Sequence, residues 1–308
     1  MANIPIIDLQ TTANLPAAFA QAYGETGFAY VTGHGVPDSL IAAMFDASAR
    51  FHALPLVEKM ALQVDKTHRG YIPIDSSTDV TSTLAKVTKP NQSASLMLMR
   101  DDAVPIASEY LSGPNKWPDL PGFRTVAEAY TEAMTDLGNR LMRIALQACG
   151  ADLTAMQAFA RPTTWLRLLH YPAMPDHSPD DLYGSAPHTD FGCLTLLAQD
   201  DVGGLQVMTP AGDWIDAPRL PGSFVVNVGD MLHRMSNGAL RSTPHRVINR
   251  SGRERYSCPF FYDCNVNTVV APLPGTTSAA CKPKFEPILF ADFLRSQLQA
   301  TYKAHQAK

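Results

Sequence analysis

APHTDFGCLTLLAQDDVGGLQV, residues 186–207, is the stretch on which the fold reading turns. CLTLLA (193–198) is a short apolar run, DDVG (200–203) is a turn cluster, and the chain resumes as an extended segment over 204–208. Strand, turn and strand in such quick succession leave no room for a helix. The same spacing recurs outward, at 164–171 upstream and at 223–228, 244–249 and 255–262 downstream. Short strands separated by turns predict a sandwich or barrel rather than alternating strand–helix units.

Helices flank this region. Val126, Tyr130, Met134, Leu137, Leu141 and Ile144 recur at helical spacing and predict a helix over 126–149, with Thr125 and Glu128 as a capping box and Gly150 as its stop. Nearer the N-terminus, IPIIDL (4–9) and GFAYVT (27–32) read as strands. Residues 15–25 and about 38–51 read as helices, with Asp38 capping the second, and a last helix is expected near 288–302. Residues 64–122 are rich in Ser, Thr, Asp and Pro and read as loops with short strands that could wall a pocket. Leu96, Met97 and Met99 there resemble a strand that could line a pocket, with plain core packing as the preferred reading. No flexible linker is visible. The chain therefore reads as one unit over 1–308, mainly β with flanking helices. It has a helical and loop region to about 125, a strand-rich core over about 160–285, and a C-terminal helix over 286–308.

The composition narrows the function classes. Of 308 residues, 45% are hydrophobic and 18% charged, enough to build a core and too apolar for disorder. With 25 basic and 29 acidic residues the formal charge is −4, so no basic field draws nucleic acid. The longest apolar runs are far too short to cross a membrane. MANIPIIDLQ lacks the basic start and apolar run of a secretory signal. Five cysteines without a C-x-x-C pair read as reduced thiols of a cytoplasmic protein.

Glycine-rich nucleotide loops, a G-x-S-x-G elbow and H-E-x-x-H are all missing, which removes the usual support for nicotinamide, ATP, serine-hydrolase and zincin chemistry. What remains begins at His188-Thr189-Asp190. On an extended strand, positions i and i+2 share a face, so both side chains can meet one ion. His245, in STPHRVIN, stands on another predicted strand. Two imidazoles and a carboxylate make the facial triad of non-haem Fe(II) oxygenases; a satisfied His–Asp pair in a core is the plain alternative. Arg255 and Ser257 are again i and i+2. A guanidinium beside a hydroxyl can hold a carboxylate such as the distal one of 2-oxoglutarate. The ordered set H-x-D, His, R-x-S is far more specific than any of its parts.

With these residues in order, the chain resembles the isopenicillin N synthase-like family of Fe(II)/2-oxoglutarate-dependent oxygenases. The matching stretches include IPIIDL, GFAYVTGHGVP (27–37), FHALPLVEK (51–59), NKWPDLPGFR (115–124), LRLLHYP (166–172), APHTDFGCLTLLAQDDVGGLQV (186–207), GSFVVNVGDMLHRMSNG (222–238) and HRVINRSGRERYSCPFFYDCN (245–265). The resemblance implies a double-stranded β-helix, or jelly roll. It implies Fe(II) at His188, Asp190 and His245, with O₂ as oxidant. It also implies 2-oxoglutarate held by Tyr171, Arg255 and Ser257. Two positions depart from the commoner pattern: Leu169 stands where an Asn often helps orient the cosubstrate, and His233 where Gln is frequent.

The expected activity is oxidation, by default hydroxylation, of a small organic molecule. A family oxidase working without 2-oxoglutarate and a non-catalytic jelly-roll binding protein are the alternatives. Arg167 shares a strand face with Tyr171 and should point inward, where an acidic or carbonyl-bearing substrate, a salt bridge or solvent could satisfy it. One of Phe260 and Phe261 should face the barrel mouth as a substrate wall. His34 is expected to be structural and His233 an ordinary packed or surface residue. His52, His68, His177 and His305 are expected to be solvated. Residues 173–186 read equally as an active-site lip or a plain surface loop.

Overall fold

The structure is a computed structural model and describes residues 4–78, 87–174, 178–179, 181–302 and 305. In chain order its elements are β1 (Ile6–Asp8), α1 (Leu15–Glu25), β2 (Phe28–Thr32), α2 (Asp38–His52), α3 (Leu56–Ala61), β3 (Gly70–Ile72) and β4 (Ala94–Met99). Then come α4 (Phe123–Ala148), a 3₁₀ turn at Leu153–Phe159, β5 (Thr163–Tyr171), β6 (Ser185–His188), β7 (Leu194–Gln199), β8 (Leu205–Met208), β9 (Trp214–Asp216) and β10 (Phe224–Val228). The chain ends with α5 (Asp230–Met235), β11 (His245–Val247), β12 (Arg255–Asp263), β13 (Val269–Val270), β14 (Ile288–Leu289) and α6 (Phe290–Thr301).

Two sheets build the core. The larger has the order β1-β2-β10-β7-β12-β5-β4-β3 and the smaller β6-β11-β8-β9. The larger sheet carries both interiors because its side chains alternate. From β12, Cys258, Phe260 and Tyr262 join the large apolar cluster with Tyr130, Met134 and Leu141 of α4. Its other face meets the small sheet through Phe28, Leu169, Tyr171, Leu205, Val207 and Val247. The polar residues that matter for chemistry stand on this second face. This is a mainly β, jelly-roll arrangement with helices outside it.

Some local expectations hold and others are corrected. The strands expected at 4–9, 27–32 and within 64–122 belong to the main core: β1 and β2 form one margin of the large sheet, β3 and β4 the other. β4 is buried at all six positions, so it lacks the polar alternation that marks a strand in sequence. α4 begins at Phe123, which is wholly buried and adds a turn at the start; Gly122 precedes it, no side-chain cap bond forms, and Glu128 pairs instead with Arg124 at 2.7 Å. Gly150 does end it, through Gly150 N–H to Gln147 O and Ala151 N–H to Leu146 O. Asp38 makes no cap bond; the Pro37 carbonyl accepts from Leu40 and Ile41.

Candidate active site

His188 is the last residue of β6 and lies directly opposite His245 of β11, the two rings 4.4 Å apart. The expectation that His188 and Asp190 share one strand face is corrected. β6 stops at His188, and a turn brings Asp190 round. That turn is held from behind by backbone donors at the start of α5: Gly229 to Cys193 O, Asp230 to Asp190 O and Met231 to Gly192 O, at 2.9, 2.8 and 2.8 Å.

The result is a convergent donor set. Asp190 Oδ1 is 3.7 Å from Nε2 of both His188 and His245, and one ligand atom from each residue lies within 4.8 Å of the others. His188 Nδ1 bonds to Ala186 O (2.7 Å) and His245 Nδ1 to Thr243 O (3.3 Å). Carbonyls accept only, so each Nδ1 carries the proton and each Nε2 presents its lone pair to the centre. Asp190 Oδ2 accepts from Thr195 Oγ1 (2.6 Å) and Asn227 Nδ2 (2.7 Å), leaving Oδ1 for an ion. Burial pushes the Asp190 carboxyl up, but the charge that His245 and His188 carry when protonated, with the two hydrogen bonds, holds it below its ordinary value. Two neutral imidazoles and one carboxylate on one side of a centre, with a cavity on the other, fit a divalent iron.

Beside this set lies a buried cation. Arg255 and Ser257 stand on one face of β12, opposite Tyr171 and Leu169 of β5. Arg255, 1% exposed, donates from Nε to Gly203 O (2.7 Å), from Nη1 to Ser257 Oγ (3.2 Å) and from Nη2 to Gln199 Oε1 (3.3 Å). Its guanidinium carbon sits 4.7 Å from the Tyr171 ring centre. All these partners are neutral, and a buried charge among neutral partners calls for an anion. The cavity in front of it reaches His188, Asp190 and His245, and Leu169 lines its wall.

A second cleft adjoins the first, and Arg167, Ser185, His188, Asp190 and Phe261 line both. It holds about 660 Å³ of free space, part of it open to solvent, with Met97, Trp165, Arg167 and Phe261 among its walls and α6 along one flank. Arg167 bonds to Ser95 Oγ (3.0 Å) and Tyr302 Oη (3.3 Å). Phe261 faces this cleft, whereas Phe260, wholly buried, points into the core beneath α4. Phe260 is therefore corrected from substrate wall to core residue, because neighbours on a strand face opposite ways.

Three histidines expected to be solvated, His52, His68 and His305, need correction too, whereas His34 and His233 are packed in structural contacts. His52 is 6% exposed, its Nε2 bonding to Leu168 O at 3.0 Å, and burial pushes its pKa down to about 3. His68 is buried, lines the second cleft and bonds to the half-buried His305 at 2.9 Å. His34 takes the Val36 N–H on Nδ1 (3.1 Å), and His233 bonds through Nδ1 to Leu240 O (2.6 Å) against Phe285. His177, part of the possible lip, lies outside the described residues. Thr195, Asn227 and Asp263 were not singled out from sequence. Asp263 was reachable, being two residues past Phe261 on the same face. Burial, and after the Cys193 N–H bond that opposes it the charge of Asp190, pushes the Asp263 carboxyl up to about 7.

Comparison with known proteins agrees with this geometry. Residues 162–263 match the 2OG-Fe(II) oxygenase superfamily, and residues 4–120 match the N-terminal domain described as non-haem dioxygenase in morphine synthesis. The "2-oxoglutarate-Fe(II) type oxidoreductase hxnY" of Emericella nidulans is 37% identical over 298 residues, 91% of this chain and 83% of its own. The chain belongs to the 2-oxoglutarate–Fe(II) oxygenase superfamily. Among other members, the soybean "Homoarginine-6-hydroxylase 2-ODD-C23" is 34% identical over 92% of this chain and 87% of its own. The crystal structure of a full-length Neurospora crassa protein in complex with alpha-KG and thymine superposes with a TM-score of 0.82 at 29% identity, over 96% of both chains.

Membership makes this an Fe(II)- and 2-oxoglutarate-dependent oxygenase that uses O₂ and acts on a small molecule. Among the described residues no helix is long and apolar enough to cross a membrane.

Proposed function

We propose that His188, Asp190 and His245 hold Fe(II), that Arg255 and Ser257 with Tyr171 hold 2-oxoglutarate, and that the second cleft receives a small polar substrate for hydroxylation. One observation carries the reading: a fully buried arginine with only neutral partners shares a cavity with three convergent metal donors. The overall conversion balances as C–H + O₂ + 2-oxoglutarate → C–OH + succinate + CO₂, one oxygen atom entering the substrate and the other succinate. When bound, iron supplies the activation of O₂ that organic side chains cannot.

The protein supplies position. Asp190 is fixed by Thr195 and Asn227 so that one oxygen faces the ion. Arg255 offers the distal cosubstrate carboxylate a planar donor pair, and Ser257 a hydroxyl. With Leu169 in place of an amide, that wall contributes exclusion of water rather than a hydrogen bond. Arg167 and Phe261 face the substrate, the first as donor to a carboxylate or carbonyl and the second as an apolar wall. We place the enzyme in the cytoplasm, where its five free cysteines, three of them buried, would stay reduced.

The test is the visible charge-transfer band that forms when Fe(II) and 2-oxoglutarate are added without oxygen. It should appear with the unaltered protein and vanish in His188→Ala along with succinate release. A His188→Ala protein that keeps its iron and turnover would overturn the assignment.

A further inference from the structure

Resting on the oxygenase reading of this site, we propose that its substrate is dipolar, with a carboxylate or carbonyl end at Arg167 and an ammonium or guanidinium end at Asp263. Asp263 closes β12 and lines the same cleft as Arg167, His188 and Asp190, though only 3% exposed. One of its oxygens takes the Cys193 N–H at 2.6 Å, and no basic side chain among the described residues pairs with it. The backbone opposite is shaped around the carboxylate: a Cβ at Gly192 would fall 1.8 Å from Asp263 Oδ1, so only glycine leaves the acid its place.

Arg167 is the complementary pole. Its hydrogen bonds go to two hydroxyls, Ser95 and Tyr302, neither of which neutralises a guanidinium. The register of β5 on β12, Leu169 to Ser257 and Leu166 to Phe260, sets Arg167 across from Pro259, four residues before Asp263 on the same face. At about 3.3 Å per residue the two backbone positions lie about 13 Å apart, and both side chains span part of that gap. Trp165, Phe261 and Phe191 line the stretch between them, giving an apolar middle with a charge at each end.

The energetics favour an occupant that carries both charges. Arg167 is half-buried and its hydrogen bonds bring it no counter-ion, while burial favours the neutral Asp263 carboxyl until a cation reaches it. A simple acid would satisfy Arg167 and leave Asp263 unpaired; an amine would do the reverse; a neutral ring would satisfy neither. A molecule with both poles neutralises the cleft without adding net charge.

The test uses the unaltered holoenzyme with Fe(II), 2-oxoglutarate and O₂, reading substrate-stimulated succinate release. Homoarginine and 6-aminohexanoate are the dipolar probes, hexanoate lacks the cation, hexylamine lacks the acid, and thymine is neutral. The dipolar compounds should exceed the single-charge analogues in kcat/KM by about tenfold or more. Asp263→Asn, which keeps an acceptor for the Cys193 N–H, should lose about tenfold on the dipolar probes and change less than about threefold on hexanoate. Hexanoate or thymine equalling the dipolar probes would overturn the inference, as would an Asp263→Asn enzyme with unaltered preference. If Asp263→Asn melts early, the probe series on the unaltered enzyme decides alone. An anaerobic band without dipolar preference removes this inference only; absence of the band removes the underlying site assignment with it.

Discussion

Replacing Thr195 by Val removes one hydroxyl and almost no volume, and it tests whether Asp190 is held in readiness for a metal. Thr195 Oγ1 donates to Asp190 Oδ2 at 2.6 Å and Asn227 Nδ2 to the same oxygen at 2.7 Å. Together they fix the carboxylate plane and leave Oδ1 facing the two imidazoles. A hydrogen bond to a charged group is worth about 1.5–3 kcal/mol. Because Asn227 stays in place, the lower end applies, about 1.5 kcal/mol, or close to tenfold in affinity. Anaerobic titration of the apoprotein with Fe(II) in excess 2-oxoglutarate, followed at the charge-transfer band, should therefore give a Kd about tenfold weaker. Turnover at saturating iron should fall much less, since the ligand atoms themselves are unchanged. A Kd within about twofold of the unaltered protein would refute the idea that these bonds orient the ligand.

Arg255→Lys keeps the charge but not the planar fork, so the KM for 2-oxoglutarate should rise ten- to a hundredfold, roughly 1.4–3 kcal/mol; unchanged cosubstrate dependence would contradict the clamp. Phe260→Ala should cost about 3–5 kcal/mol of stability by emptying a core position, while Phe261→Ala should mainly raise substrate KM; melting curves and kinetics separate the two. His52 is neutral in the fold, with its pKa at about 3, below the ordinary value of 6.5. The unfolded chain therefore binds the extra proton first. This contribution is complete above pH 6.5 and is lost as pH falls toward 3, by up to about 1.4 kcal/mol per unit. Denaturant titrations of His52→Gln should show a flatter acid limb than the unaltered protein, and identical limbs would contradict the assignment.

The polar site was legible because its spacing is short and periodic. Arg255 and Ser257 stand two apart inside one strand, and the rule that i and i+2 share a face holds there. The same rule reached Phe261 but could not choose between it and Phe260, since both flanks of β12 are buried and apolar residues face both ways. His188 and Asp190 came together for a different reason from the expected one: a turn clamped by α5, which a tripeptide does not announce. His52 and His68 were misread because what surrounds a single histidine is decided by packing between distant segments.

The order of the large sheet has a consequence for how the chain can be divided. β10 and β5 sit in mid-sheet only because β2 and β4, from the first third of the sequence, lie against their outer sides. A fragment beginning near residue 150 would keep the iron and 2-oxoglutarate residues, yet it would bare two rows of backbone N–H and C=O groups. Such rows are templates for another chain's strand. The catalytic half expressed alone should therefore aggregate. The early strands serve as selvedges that keep the sheet from joining its copies.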